Sequence, residues 1–233
     1  GLGDVYKRQT SPSRTAWGTA GFWSWTSNSA STAVPRWKRN SPCTTEKPEF
    51  VKKEPQVFPE SARLKFRAWE EADWPFFAAM NASPLVMRFF PSVLTEEESR
   101  SMWDRMRAEL DEKGYGLYAV ELKSSGALIG LLGFHWADFE AEFTPCVEIG
   151  WRLVPEAWGY GYATEGAVAC LEYGFSRLGF DRVYSFTACV NHPSQAVMRR
   201  AGMKKTAEFN HPEVSAASPL HPHVLYMLEA PCK

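Results

Sequence analysis

No apolar run in the chain approaches the ~20 residues that a helix needs to cross a bilayer. Nor does a continuous apolar segment of the secretory-leader kind stand near its start. Charge of neither sign dominates: 26 lysines and arginines stand against 27 acidic residues, a net charge of −1. No global basic bias therefore recruits nucleic acid. Cysteine is sparse. Cys43, Cys146, Cys170, Cys189 and Cys232 are far apart, odd in number and form no C-x-x-C, so neither a disulfide framework nor a zinc site is indicated. These absences lead to the expectation of a soluble, cytoplasmic protein without metal, membrane or nucleic-acid partner.

The 233 residues, 45% of them hydrophobic, suffice for one well-buried domain and a tail. Residues 1–58 are rich in Ser, Thr and Pro, carry Trp17, Trp23, Trp25 and Trp37, and show no period of either 2 or 3.6. The opening GLGDVYKRQ resembles translated adapter sequence. The expectation for 1–58 is a disordered or artefactual extension, with an aromatic docking segment as the functional alternative, and a single domain over 59–233.

Within the domain, Leu64, Phe66 and Trp69 read as a first strand, and Glu70 to Met80 as a helix led by charges. Thr95 followed by Glu98 forms a capping box for a second helix to about Glu112, where Met102, Met106 and Leu110 recur every four residues. Leu117–Leu122 and Ala127–Trp136, joined through Ser124-Ser125-Gly126, read as a hairpin. Past the central stretch come a strand over Asp181–Val190, a short helix over Pro193–Ala201 closed by Gly202, and two last strands near Lys204–Phe209 and His223–Glu229.

The central stretch is VEIGWRLVPEAWGYGYATEGAVACLEYGF, residues 147–175. Val147, Ile149, Trp151 and Leu153 alternate with Glu148, Gly150 and Arg152, the period of a half-buried strand. Pro155 stops the ladder, and Gly159 and Gly161 allow a tight turn. From Ala163 the apolar and small residues recur at helical spacing. Strand, glycine turn and helix leave the first helical N–H groups unpaired at the positive end of the dipole, a seat for phosphate. The glycine spacing matches neither GxGxxG nor GxxxxGK[ST]. No lysine or arginine lies between Arg152 and Arg177, which counts against an NTPase. An ordinary turn of a doubly wound enzyme remains the alternative on the glycines alone.

Trp158-x-x-Gly161-x-Ala163 resembles the acetyl-CoA motif of the GNAT N-acetyltransferases, Arg/Gln-x-x-Gly-x-Gly/Ala after a strand, with tryptophan in the first place. The run W-G-x-G-Y-A-T-E is similar to the RimJ/RimL ribosomal-protein branch. ARLKFRAWEEADW, NHPSQAVMRRAGM and HVLYMLEA match in the right order, over roughly Ala62 to Glu229. The resemblance implies the GNAT acyl-CoA N-acyltransferase fold, an α/β (α+β) architecture whose mixed, mostly antiparallel sheet is flanked by helices.

It also implies roles for particular residues. The backbone of Trp158, Gly159, Tyr160, Gly161, Tyr162, Ala163 and Thr164 would cradle the pyrophosphate of acetyl-CoA. Leu153 and Val154 would pair with the pantetheine arm, the Val154 N–H also polarising the thioester carbonyl. Asn191 matches a cofactor-bonding position, with a strand-ending turn residue as its alternative. Glu148, the one carboxylate on what reads as the exposed parity of the central strand, matches the branch's acidic position and is the first choice of base. His135 on the neighbouring strand ranks second, since a free imidazole titrates near neutral pH. A tyrosine that many family members use to protonate the leaving thiolate is replaced by Met198; Ser194 carries that part in this branch, with capping of the short helix as its alternative. The acceptor would be a protein N-terminal α-amine or a small-molecule amine, attacking directly, in a pocket near 89–92 and 208–220. The expected assembly is a monomer or homodimer. A catalytically silent coenzyme A-binding sensor or scaffold is the reading from another class.

Overall fold

The computed structural model describes residues 56–231. The tail reading for residues 1–55 therefore lies outside the described residues. At the start of the described residues, Tyr173 donates to the Val57 carbonyl at 2.8 Å, and the Phe58 ring meets Tyr118 edge to face at 5.6 Å.

Among the described residues, seven strands form one sheet: β1 (Leu64–Arg67), β2 (Leu117–Leu122), β3 (Leu128–Ala137), β4 (Cys146–Leu153), β5 (Arg182–Ala188), β6 (Lys204–Asn210) and β7 (Pro222–Glu229). The α-helices α1 (Trp74–Ala82), α2 (Glu96–Lys113), α3 (Tyr162–Ser176) and α4 (His192–Arg200) flank it. The spatial order is β1-β2-β3-β4-β5-β7-β6. All neighbours are antiparallel except β4 and β5.

The first helix starts later than its sequence pattern suggests. Asp73 accepts from both terminal guanidinium nitrogens of Arg67, at 2.5 and 2.8 Å, and from the Glu70 N–H at 2.9 Å. That carboxylate holds Glu71–Asp73 as a 3-10 turn, and α1 begins at Trp74 with Pro75 in its first turn. For α2 the capping box stands: the Glu98 N–H donates to Thr95 Oγ1 at 3.2 Å and the Thr95 N–H to Glu98 Oε2 at 2.8 Å. Gly114, in the left-handed region, closes it.

Both faces of the sheet are covered. Trp69, Phe77, Met102 and Trp103 from the α1–α2 side pack on Leu117, Ala119 and Leu131. Ala167, Cys170 and Leu171 of α3, with Met198 of α4, pack on Tyr118, Leu132, Phe134 and Ile149 of the other face. At Gly166 a Cβ would fall 2.5 Å from Leu132 Cδ1, so α3 sits closer to the sheet than a side chain would permit without repacking that leucine.

The double cover corrects the parity reading of β4. Glu148 and Arg152 alternate with apolar residues, yet they are only 4% and 3% exposed. Their face lies under the α1–α2 layer rather than in solvent, and the alternation records two kinds of cover instead of core against water.

Candidate active site

The glycine turn opens where β4 ends. Pro155–Ala157 forms a 3-10 turn, Trp158 is extended, and Gly159 and Gly161 take φ of +83° and +82°. Gly161 is the N-cap of α3, and the first bond of that helix runs from the Glu165 N–H to the Gly161 carbonyl at 3.0 Å. The N–H groups of Tyr162, Ala163 and Thr164 therefore precede the helical ladder. A Cβ at Gly159 would meet no heavy atom within 4 Å. Open space in front of unladdered donors fits an anion such as a diphosphate.

The turn is not without a cation, as the local sequence window implies. Arg63, which enters just ahead of β1, donates through Nη2 to the Tyr160 carbonyl at 3.1 Å, pairs with Glu165 at 2.6 Å and lies 4.5 Å above the Tyr162 ring. The Arg88 guanidinium lies 4.4 Å above the Trp158 ring. Arg63 ties the turn to the start of β1, a contact arising about a hundred residues upstream.

β4 and β5 pair at a single position, Glu148 with Tyr184, and Ser185 Oγ donates to the Ile149 carbonyl at 2.9 Å. Beyond this the two parallel strands separate. On its other edge β4 stays paired with β3, and the Val154 N–H is taken by the Ile129 carbonyl at 2.9 Å. The reading of Val154 N–H as a donor to a thioester is corrected accordingly. Backbone groups of an antiparallel strand alternate between its two edges. It is the N–H groups of Trp151 and Leu153 that face the gap, while the Leu153 carbonyl accepts from Trp158 Nε1 at 2.8 Å. Trp151 was missed in the sequence, since only the register with β3 reveals its direction.

On the α1–α2 face, the same part of β4 forms the floor of a pocket of about 90 Å³. Glu148 and His135 are cross-strand partners there, with side chains on one face. Phe89, Phe90 and Pro91 border it on one side and His211, Glu213 and Leu220 on another, the two loops that sequence places around an acceptor. Glu148 Oε2 makes no hydrogen bond among the described residues. Burial, with a smaller contribution from the negative charge of Glu109, raises its carboxyl well above the ordinary carboxylate range.

Glu109, 3% exposed, is the functional group that sequence reasoning missed. From α2 it meets His135 Nδ1 at 2.8 Å through Oε2 and accepts the Trp136 N–H at 2.8 Å through Oε1. Its signal was available: it stands beside Leu110, three residues on from Met106, a carboxylate among the apolar positions of an amphipathic helix.

Asn191 caps α4: its Oδ1 accepts the Ser194 N–H at 3.3 Å and its amide donates to Thr187 Oγ1 at 2.9 Å. The alternative of Ser194 as the cap is thereby replaced. The Ser194 side chain is half-buried in the first turn. Met198 is core, 1% exposed, and offers no acid. Because β4 and β5 run parallel, the N-termini of α3 and α4 lie at the same edge of the sheet, the edge where open α/β sheets bind ligands.

Comparison with known proteins agrees with this geometry. Residues 63–204 match the family model described as an acetyltransferase (GNAT) domain. The chain is 32% identical over 148 residues to the uncharacterized N-acetyltransferase YnaD of Bacillus subtilis, covering 63% of this chain and 82% of YnaD. The crystal structure of a GNAT-family acetyltransferase from Bacillus anthracis superposes with a TM-score of 0.62 at 27% identity, over 75% of this chain and 99% of that one. RimL, the ribosomal L7/L12 alpha-N-protein acetyltransferase in complex with coenzyme A, superposes with a TM-score of 0.59 at 20% identity, over 73% and 96%. The fold, the open glycine turn and the family match together place this chain in the GNAT acetyltransferase family.

Proposed function

We propose that the chain is an acetyl-CoA-dependent N-acetyltransferase of the RimJ/RimL-like branch that acetylates a primary amine by direct attack. The observation that carries the reading is Glu148. Its buried, unpartnered Oε2 lies at the floor of a pocket, on the strand whose opposite end runs into the glycine turn. The W-G-x-G-Y-A-T-E run supports the branch.

Acetyl-CoA would supply an acyl thioester. The N–H groups of Tyr162, Ala163 and Thr164 would hold its diphosphate, and those of Trp151 and Leu153 on the open edge of β4 its pantetheine. Glu148 in its ionised form takes the proton of the acceptor ammonium, and its raised proton affinity makes it a stronger base than a solvated carboxylate. The amine nitrogen then forms the new N–C bond as the C–S bond breaks and sulfur leaves with the electron pair. The nitrogen, acylated and still carrying a surplus proton, gives that proton to the departing sulfur through the Ser194 hydroxyl, which donates to sulfur as it accepts from nitrogen, so neutral amide and thiol leave and the serine is restored. His135, held by Glu109, is the second polar group on the floor and orients the amine. No cysteine is required as an acyl carrier: the thiols of Cys146 and Cys170 are buried and pushed up in pKa, which disfavours thiolate. These free thiols also support a reducing, cytoplasmic setting.

The test is thiol release from acetyl-CoA with a panel of amines and N-terminally free peptides, on the parent and on Glu148→Gln. A transferase loses its rate in the variant and keeps its acetyl-CoA affinity. Coenzyme A binding with no thiol release from any acceptor would instead identify a sensor or scaffold.

A further inference from the structure

The separation of β4 from β5 does not come from either strand ending. Past the one pairing of Glu148 with Tyr184, β4 stays extended to Leu153 and β5 to Ala188. Each is held along that length by its other neighbour: Leu153 pairs with Gly130 of β3, and Ala188 with His223 of β7. Two extended parallel strands side by side ordinarily continue their ladder, each facing carbonyl taking an N–H from across. Here the ladder stops after its first rung.

The Ile149 carbonyl shares the parity of Trp151 and Leu153 and faces β5. The next rung would set a backbone N–H of β5 on it, and pairing stops before that rung. The carbonyl receives the Ser185 hydroxyl instead of continuing the ladder, at 2.9 Å. Ser185 is 2% exposed, on a face where Ile149, Val183, Val224 and Tyr226 belong to one apolar core. An apolar side chain would serve that packing, so the hydroxyl is set apart by its bond and not by its fit.

On the reading that the chain transfers acetyl from acetyl-CoA, we infer that Ser185 is a positioning residue: by taking the place of the next backbone donor, its hydroxyl ends the β4–β5 ladder at Ile149 and fixes where the gap for the pantetheine arm begins. Glu148 is the last paired residue of β4, so the gap opens one residue beyond the base. One further rung would consume two residues, about 6.6 Å of strand, and would use the Trp151 N–H that faces the gap. Reacting atoms must come within about 3–3.5 Å of each other. A slip of that size would carry the thioester out of reach of an amine held at Glu148.

The experiment joins amide hydrogen exchange to calorimetry on the full chain. In the parent, the Trp151 N–H should exchange at least tenfold faster without coenzyme A than with it. In Ser185→Ala the same amide should be protected without coenzyme, as the ladder gains a rung, and affinity for coenzyme A should fall at least tenfold. Affinity for ADP, which carries a diphosphate and no pantetheine, should stay within twofold of the parent. Ser185→Thr keeps the hydroxyl and should keep the affinity for coenzyme A, while Ser185→Val, its match in shape, should lose it. That pair carries the comparison should Ser185→Ala fail to fold. Three results overturn the inference and leave the transferase reading standing: a Trp151 amide already protected in the parent before coenzyme A binds, unchanged coenzyme A affinity in Ser185→Ala or Ser185→Val, or an equal loss for coenzyme A and ADP. A parent that binds no coenzyme A overturns both.

Discussion

Glu109 and His135 meet at 2.8 Å with 3% and 5% exposure, a carboxylate of α2 held against an imidazole of β3 beneath the helical layer. The second oxygen of Glu109 takes the Trp136 N–H, which ties the helix to the strand. The negative charge of Glu109 also adds to the raised pKa of Glu148. Glu109→Gln removes that charge while preserving shape. Glu148 then ionises at lower pH, and the rising limb of kcat/KM against pH moves to lower pH. Glu109→Ala leaves a buried N–H without its acceptor and costs about 1–3 kcal/mol of stability, read by denaturant melts.

For Glu148 the linkage has a definite sign. Its folded pKa is raised above the unfolded one, so its contribution to stability is fully present below pH ~4.5 and lost as pH rises through the folded value. Glu148→Gln, uncharged throughout, should therefore melt above the parent at pH 8, the gap closing towards pH 4. The same variant loses about 10²-fold in kcat. Gain in stability with loss of rate marks a group retained for chemistry.

His211 runs the other way. Its folded pKa of about 4 lies below the unfolded 6.5, so its contribution is present above pH 6.5 and lost as pH falls towards 4. His211→Gln should flatten the loss of stability across that window, measured as melting temperature against pH.

Asn191→Ala removes the α4 cap and costs about 1 kcal/mol. Ser194→Ala, which removes no cap, should leave the melting temperature within about 1 °C and lower kcat when the departure of sulfur limits the rate. Urea melts and single-turnover thiol release separate the two.

The ordering of strands and helices was legible because its signals are local. The Thr95–Glu98 box, the hairpin glycine, and Gly159 and Gly161 act within a few residues of themselves. Glu148 was legible as a chemical group but not as a buried one, since alternation cannot distinguish a solvated face from one roofed by α1 and α2. Arg63 beside the glycine turn, Trp151 facing the gap and Glu109 on His135 were not legible. Each depends on a meeting across the fold or on strand register, which a one-dimensional pattern does not carry. Val154 shows the converse: the motif located the residue, and only the β3 pairing revealed that its N–H is already used.

The central claim is that amides at the start of α3 hold the diphosphate of acetyl-CoA, and Gly161 tests it most directly. Its φ of +82° is one that a β-branched residue adopts only under strain. Calorimetric titration of coenzyme A into the parent, Gly161→Val and Tyr160→Ala, each first shown to be folded, makes the comparison. An amide cradle predicts affinity at least tenfold weaker in Gly161→Val and nearly unchanged in Tyr160→Ala, whose side chain is 62% exposed. Equal affinity of parent and Gly161→Val would contradict it.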